Sequence, residues 1–298
     1  MLFISVTLMS ALNPAVDWLQ RRKVPRGIAI FIIYVFLWGI IGGMIAKVIP
    51  PLVEQTRTLI YLLPNAISRV EFFSANQELI TNQILTRLGA LPENLLKITV
   101  GLFSNLLSVL TTLVITFYLL LERKNLDKYL SLLVGKERPA KMTLIINEIE
   151  RRLGGWVRGE LVLMIAVGAF TFAGLTVLGV DNALPLAIIA GVLELVPNIG
   201  PIISAVPAVL IALTIHPLTA LATASLYFLI QLLENNLLVP KVMEKAVGIN
   251  PLISILGLLM GLEIAGPAGA VLAIPFIIVV QTIGLEAFSL KRLGDLSE

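Results

Sequence analysis

From Leu161 to Pro240 the chain carries no lysine and no arginine, and its charged residues there are Asp181, Glu194 and Glu234. So long a stretch of Leu, Ile, Val and Ala cannot be covered by a soluble fold. It is readily buried in a bilayer, where only helices or closed barrels satisfy the backbone. The rest agrees: 57% of the residues are hydrophobic, 14% are charged, and the mean hydropathy is +0.95. Soluble domains are nearer to about 25% charged. The expected fold is therefore all-α, a polytopic α-helical membrane protein. The net charge of +3 resides in loops rather than on a basic face, so nucleic acid is not an expected partner.

The most informative run inside that stretch is Glu194-Leu195-Val196-Pro197-Asn198-Ile199-Gly200-Pro201. A carboxylate at membrane depth is costly, and marks a candidate functional site. Pro197, Gly200 and Pro201 beside it break a helix and release backbone groups that need partners. The layout recurs at Gly261-Leu262-Glu263-Ile264-Ala265-Gly266-Pro267-Ala268-Gly269, again one acid followed by a Gly/Pro break. Paired interruptions in corresponding apolar segments point to a transporter binding site. We therefore expect two re-entrant or broken helical hairpins in the C-terminal third, over 183–215 and 251–285, entering from opposite faces. Glu194, Asn198, Glu234, Asn235, Asn236 and Glu263 are the candidate solute- and ion-binding residues. Pro197, Gly200, Pro201, Gly266, Pro267 and Gly269 are the candidate hairpin and gate residues.

Before that third, the apolar stretch at Met1–Leu12 is too short to span and is expected to end at Asn13-Pro14. With no basic residue before Arg21, no signal peptide is expected. Gly27–Ile49 reads as a span containing a GxxxG at Gly39–Gly43, a pattern that permits close helix contact. Residues 50–97 mix charge with apolar periodicity. Breaks at Pro50-Pro51, Pro64 and Pro92 predict amphipathic, extracytoplasmic helices there. Ile98–Leu121 spans again. The loop 122–160 carries nine Lys or Arg. By the positive-inside rule it is cytoplasmic, together with 13–26. Leu161–Gly179 returns outward, Leu218–Leu238 crosses inward, and a turn is expected at Val239-Pro240-Lys241. Trp18, Trp38 and Trp156 read as interface anchors, and His216 as an outer-interface residue. The chain divides into an N-terminal membrane scaffold, 1–160, and a transport unit, 161–298.

Chemistry that would indicate an enzyme is missing. There is no cysteine, one histidine, and no Walker, His-Glu-x-x-His or Gly-x-Ser-x-Gly motif. No cofactor or metal site is expected.

The four ordered motifs Glu194–Pro201, Glu234-Asn-Asn-Leu-Leu-Val-Pro240, Val247-Gly-Ile-Asn-Pro251 and Gly261…Gly266…Gly269…Pro275 together resemble the autoinducer-2 exporter (AI-2E) family. Arg21-Arg-Lys-Val-Pro25-Arg26 and Pro50-Pro-Leu-Val-Glu54 are similar to its N-terminal pattern. The resemblance implies a further helix at the start of family members, so that this chain is expected to begin inside the second. The resemblance implies a bacterial inner-membrane secondary transporter and a homo-oligomer, in the form of a pentamer. It implies export of a small polar solute, autoinducer-2-like, coupled to protons or sodium. A sodium(lithium)/proton antiporter is the alternative within the class. A non-transporting scaffold that docks partners on residues 50–97 is the alternative outside it.

Overall fold

A computed structural model describes residues 1–67, 106–125, 139–181, 183–197, 199–243, 248 and 250–294. These residues form helices: α1 (Leu2–Arg21), α2 (Arg26–Ile67), α3 (Leu106–Glu122), α4 (Pro139–Val177), α5 (Ala183–Leu193), α6 (Ile199–Ile215), α7 (Pro217–Leu233), a π-helical turn (Glu234–Leu238), α8 (Val239–Met243) and α9 (Pro251–Gly294). Among the described residues there is no strand, and six helices are long and apolar enough to cross a membrane. The all-α, multi-pass reading is borne out.

Several expected breaks are not breaks. Asn13-Pro14 does not end the first helix, because α1 runs through it for 20 residues, a spanning length. Pro14 removes the donor that would bond the Ser10 carbonyl. That oxygen instead packs against Gly154 of α4, so closely that a Cβ on Gly154 would collide with it. Such neighbours are what make proline tolerable in membrane helices. Trp156 is not an interface anchor: at 5% exposure it is buried, as is Leu153. Trp18 and Trp38 are exposed as expected.

Likewise α2 continues through Pro50, Pro51 and Pro64 to Ile67. Its spanning part ends at Lys47, so the carbonyls these prolines leave without donors, those of residues 46, 47 and 60, lie at the end of the apolar stretch or beyond it. Residues 68–97 of the expected external segment lie outside the described residues. Residues 139–160, expected in a loop, are the first half of α4. Gly39, Gly42 and Gly43 have open space where a side chain would stand, so the GxxxG makes no close helix contact among the described residues.

The chain separates into two compact units. The first is Met1–Leu37, Leu107–Glu160 and Val242–Glu298; the second is Trp38–Leu106 and Leu161–Lys241. Hydroxyls tie the first together. Ser5 Oγ donates to the Thr112 carbonyl at 3.1 Å, and Tyr34 Oη to the Leu113 carbonyl at 2.9 Å. Arg26 is buried but fully engaged: Nε donates to the Leu120 carbonyl at 2.6 Å, and its outer nitrogens reach Asp17, Gln20 and Asn13. Each interhelical hydrogen bond of this kind contributes about 0.6 kcal/mol in a bilayer, so the knot acts by number.

α9 is one helix by length only. Its backbone leaves helical geometry at Ala265 (φ −136°, ψ 20°) and Gly266 (φ 62°, ψ −150°). A Cβ on Gly261 would collide with the Gly269 carbonyl, one on Gly269 with the Gly261 carbonyl, and one on Gly257 with Ile277. In a straight helix residues 257 and 277 would stand about 30 Å apart. The two arms are therefore folded back on one another, the hairpin that 251–285 predicted.

The second unit is closely packed at small residues. A Cβ on Gly191 of α5 would meet the Met164 carbonyl of α4, and one on Gly174 of α4 would meet Leu226 of α7. Leu175, Leu186, Ala190, Ala208 and Ala212 form its core. The turn after α4 is a Schellman motif. Gly179 takes φ 67°, with Val180 N–H bonded to the Leu175 carbonyl at 3.0 Å and Gly179 N–H to the Thr176 carbonyl at 3.1 Å.

Candidate functional site

The site lies in the second unit, where helix length places it. α5 has 11 residues, too few to cross about 30 Å of hydrocarbon, and stops at Leu193. The chain turns over Glu194–Pro197 on short-range bonds: Val196 N–H to the Leu193 carbonyl at 3.0 Å and Gly200 N–H to the Val196 carbonyl at 2.9 Å. Gly200 is obligatory, since a Cβ there would run into the Leu193 carbonyl and carbon. Gly200 and Pro201 are buried. α5 and α6 pack on each other, so 183–215 is a helical hairpin as expected. Asn198 lies outside the described residues.

α6 and α7 each have 17 residues and are joined through His216 alone. His216 caps α7: its Nδ1 accepts from Leu218 N–H at 3.1 Å, with Pro217 in the first turn. Two packed helices of equal length, each about 26 Å, return the chain to the level where α6 began. The end of α7 therefore arrives beside the Glu194 turn. There the helix widens into the π turn Glu234–Leu238, with Val239 N–H bonded to the Glu234 carbonyl five residues back. Pro240 lies just beyond, and the wider turn relieves the clash its ring makes with a preceding carbonyl. This replaces the expected turn at 239–241; the helix continues to Met243. Single π turns of this kind recur at functional sites.

The result is a contact between two acids. Glu194 and Glu234 are 1% and 3% exposed, and their carboxyl groups lie within hydrogen-bonding reach of each other. Gln231 Nε2, one turn earlier on α7, donates to Glu234 Oε2 at 3.0 Å. Gln231 was not among the sequence candidates. Its signal was present, three residues before Glu234 on the same helical face, but no motif marked it.

The remaining candidates are placed differently. Asn235 and Asn236 are exposed, and Asn236 Nδ2 donates to the Leu232 carbonyl at 2.8 Å. Glu263 is exposed and belongs to the first unit, on the α9 arm just before the Gly266 kink. Pro267 is exposed, while Gly261 and Gly269 form the contact between the arms. Among the described residues no cluster of three His, Asp or Glu could hold a metal.

Comparison with known proteins agrees with this architecture. The family model described as AI-2E family transporter matches residues 1–288. YrrI of Bacillus subtilis (strain 168) is 27% identical, with 97% of this chain and 86% of that protein covered. The AI-2 transport protein TqsA of Escherichia coli (strain K12) is also 27% identical, over 100% of this chain and 88% of its own length. YhhT of the same strain is 25% identical over 92% and 80%. An all-helical chain with two helical hairpins and a buried acid pair, matched from its first residue to residue 288, belongs to the AI-2E transporter family and is a multi-pass transporter of the inner membrane.

Proposed function

We propose that this chain is a secondary transporter that exports a small polar solute, autoinducer-2-like, at the expense of a proton or sodium gradient, and that Glu194 and Glu234 are its coupling site. The observation that carries this is the contact between their carboxyls in the interior of the second unit. Two like charges 4 Å apart repel by roughly 4 kcal/mol even at an effective dielectric near 20. A buried pair of this kind therefore holds a proton or cation between its members and must give it up when the surroundings change. The helix break at Glu194–Pro197 leaves backbone groups that can complete a site for it. The name of TqsA supports the solute class. Alternating access then consists of the second unit moving against the first, with residues 13–26 and 122–160 on the cytoplasmic side. Asn198, Asn235 and Asn236 are positioned in sequence to contact solute, whereas Glu263, exposed on the other hairpin, is not assigned to the coupling site.

The test is efflux from proteoliposomes under an imposed proton or sodium gradient, with Glu194→Gln and Glu234→Gln beside the native chain. Loss of gradient-driven flux in both is expected. Unchanged coupled flux in either removes the pair from the mechanism.

The acid pair itself favours a second reading, cation/proton antiport without an organic solute, because nothing but a small cation is needed to occupy it. Proton movement on adding sodium or lithium to solute-free vesicles separates the two.

A further inference from the structure

We propose that the buried face of α7 is a proton path to the Glu194–Glu234 pair, with Thr223, Tyr227 and Gln231 as its rungs. This rests on reading the pair as an exchange site. Three observations in the second unit carry it.

The first is an exception to local habit. Thr7, Thr111, Thr112, Thr116, Thr176 and Thr282 each donate to the carbonyl four residues back, the usual way a helix absorbs a hydroxyl in an apolar setting. Thr223 and Thr171 are both fully buried, yet their hydroxyls make no hydrogen bond to any described residue. Tyr227 Oη is in the same condition at 7% exposure, whereas Tyr34 Oη finds a carbonyl. Buried hydroxyls are nearly always satisfied, so these three sit where a mobile hydrogen-bonding species passes.

The second is register. Thr223, Tyr227 and Glu234 lie at i, i+4 and i+11 on one helical face, with Gln231 at its edge bonded to Glu234. They extend about 16 Å along α7, from the acid pair toward the His216 end. Thr171 is on α4, which packs on α7 at Gly174 and Leu226.

The third is size. Thr171, Thr223, Tyr227 and the two acids are 0–7% exposed, which leaves no room for an organic solute on this face. Rungs four residues apart are about 6 Å apart in rise, a gap that one water with two hydrogen bonds spans. The Thr223 and Tyr227 hydroxyls each accept a proton on oxygen and release their own onward; the Gln231 amide transfers none and only orders the water beside Glu234, whose carboxylate is the terminal acceptor, and each hydroxyl is restored by rotation. Within 161–241 the other described charged or titratable groups are Asp181, His216 and Lys241, all exposed; α4 also carries Glu160, which is buried, and the charged residues of its first half.

The experiment is infrared spectroscopy of the native chain and variants in proteoliposomes, switched from water to heavy water, following the protonated-carboxyl band. The band is assigned by its loss in Glu194→Gln. In Thr223→Val combined with Tyr227→Phe, exchange of that band is expected to slow about tenfold or more, while Thr223→Ser, which keeps the hydroxyl, exchanges at the native rate. Native-rate exchange in the double variant overturns the path. So does equal slowing in Thr223→Ser, which would make the effect one of packing. Absence of the band from the native chain would instead overturn the coupling site, and the path with it.

Discussion

The two hairpins share a sequence layout and differ in almost everything else. In 183–215 the acid is buried, the turn is closed by local hydrogen bonds, and a second acid arrives from α7. In 251–285 the acid is exposed, the reversal turns on Gly266 at positive φ, and the arms touch glycine to glycine. An acid before a Gly/Pro break is therefore not in itself a site. What distinguishes Glu194 is a neighbouring helix whose length delivers Glu234 to the same level.

That contrast can be broken most severely through the glycines. Gly200→Ala and Gly269→Ala both drive a methyl into backbone that cannot move away. Each should destabilise its hairpin by about 3 kcal/mol, the upper range for overpacking, read as a lowered thermal unfolding midpoint in detergent. Stability close to native in either would mean that its hairpin is not packed as described.

The next effect separates the acids. Glu194→Gln should lower gradient-driven flux about a hundredfold, the scale of a lost proton-transfer group, whereas Glu263→Gln should stay within about twofold. Equal losses would erase the difference between the hairpins.

A smaller effect tests the pairing directly. In a double-mutant cycle on stability, Glu194→Gln and Glu234→Gln should couple by about 1 kcal/mol or more, whereas Glu194→Gln and Glu263→Gln should be additive. Additivity of the first pair would deny the contact. The smallest change is expected from Gln231→Leu, which removes one hydrogen bond to Glu234 and should weaken flux several-fold, in keeping with about 1 kcal/mol. An unchanged rate would make Gln231 a bystander.

Much of the fold was legible because lipid leaves a chain few options. Charge-free runs marked the spans, and Gly/Pro clusters marked both reversals. Prolines elsewhere misled. Pro14, Pro50, Pro51 and Pro240 all lie in continuous helix, since a missing donor matters only if nothing else meets the freed carbonyl. At Pro14 a glycine on α4 allows the Ser10 oxygen a close approach, and at Pro240 the helix itself widens. Neither solution is local in sequence. Trp156 misled as well: it is buried, which its residue type does not encode.

The sequence by itself determined the solvent, the helical class, the place of each hairpin and the rarity of its acids, because burying charge or unpaired backbone in hydrocarbon is too costly to occur by accident. Which acid is buried, and beside what, was decided only when α6 and α7 packed with matched lengths and the π turn re-aimed Glu234. Residues 194 and 234 are far apart along the chain, and no local pattern encodes a meeting that depends on the summed rise of the two helices between them.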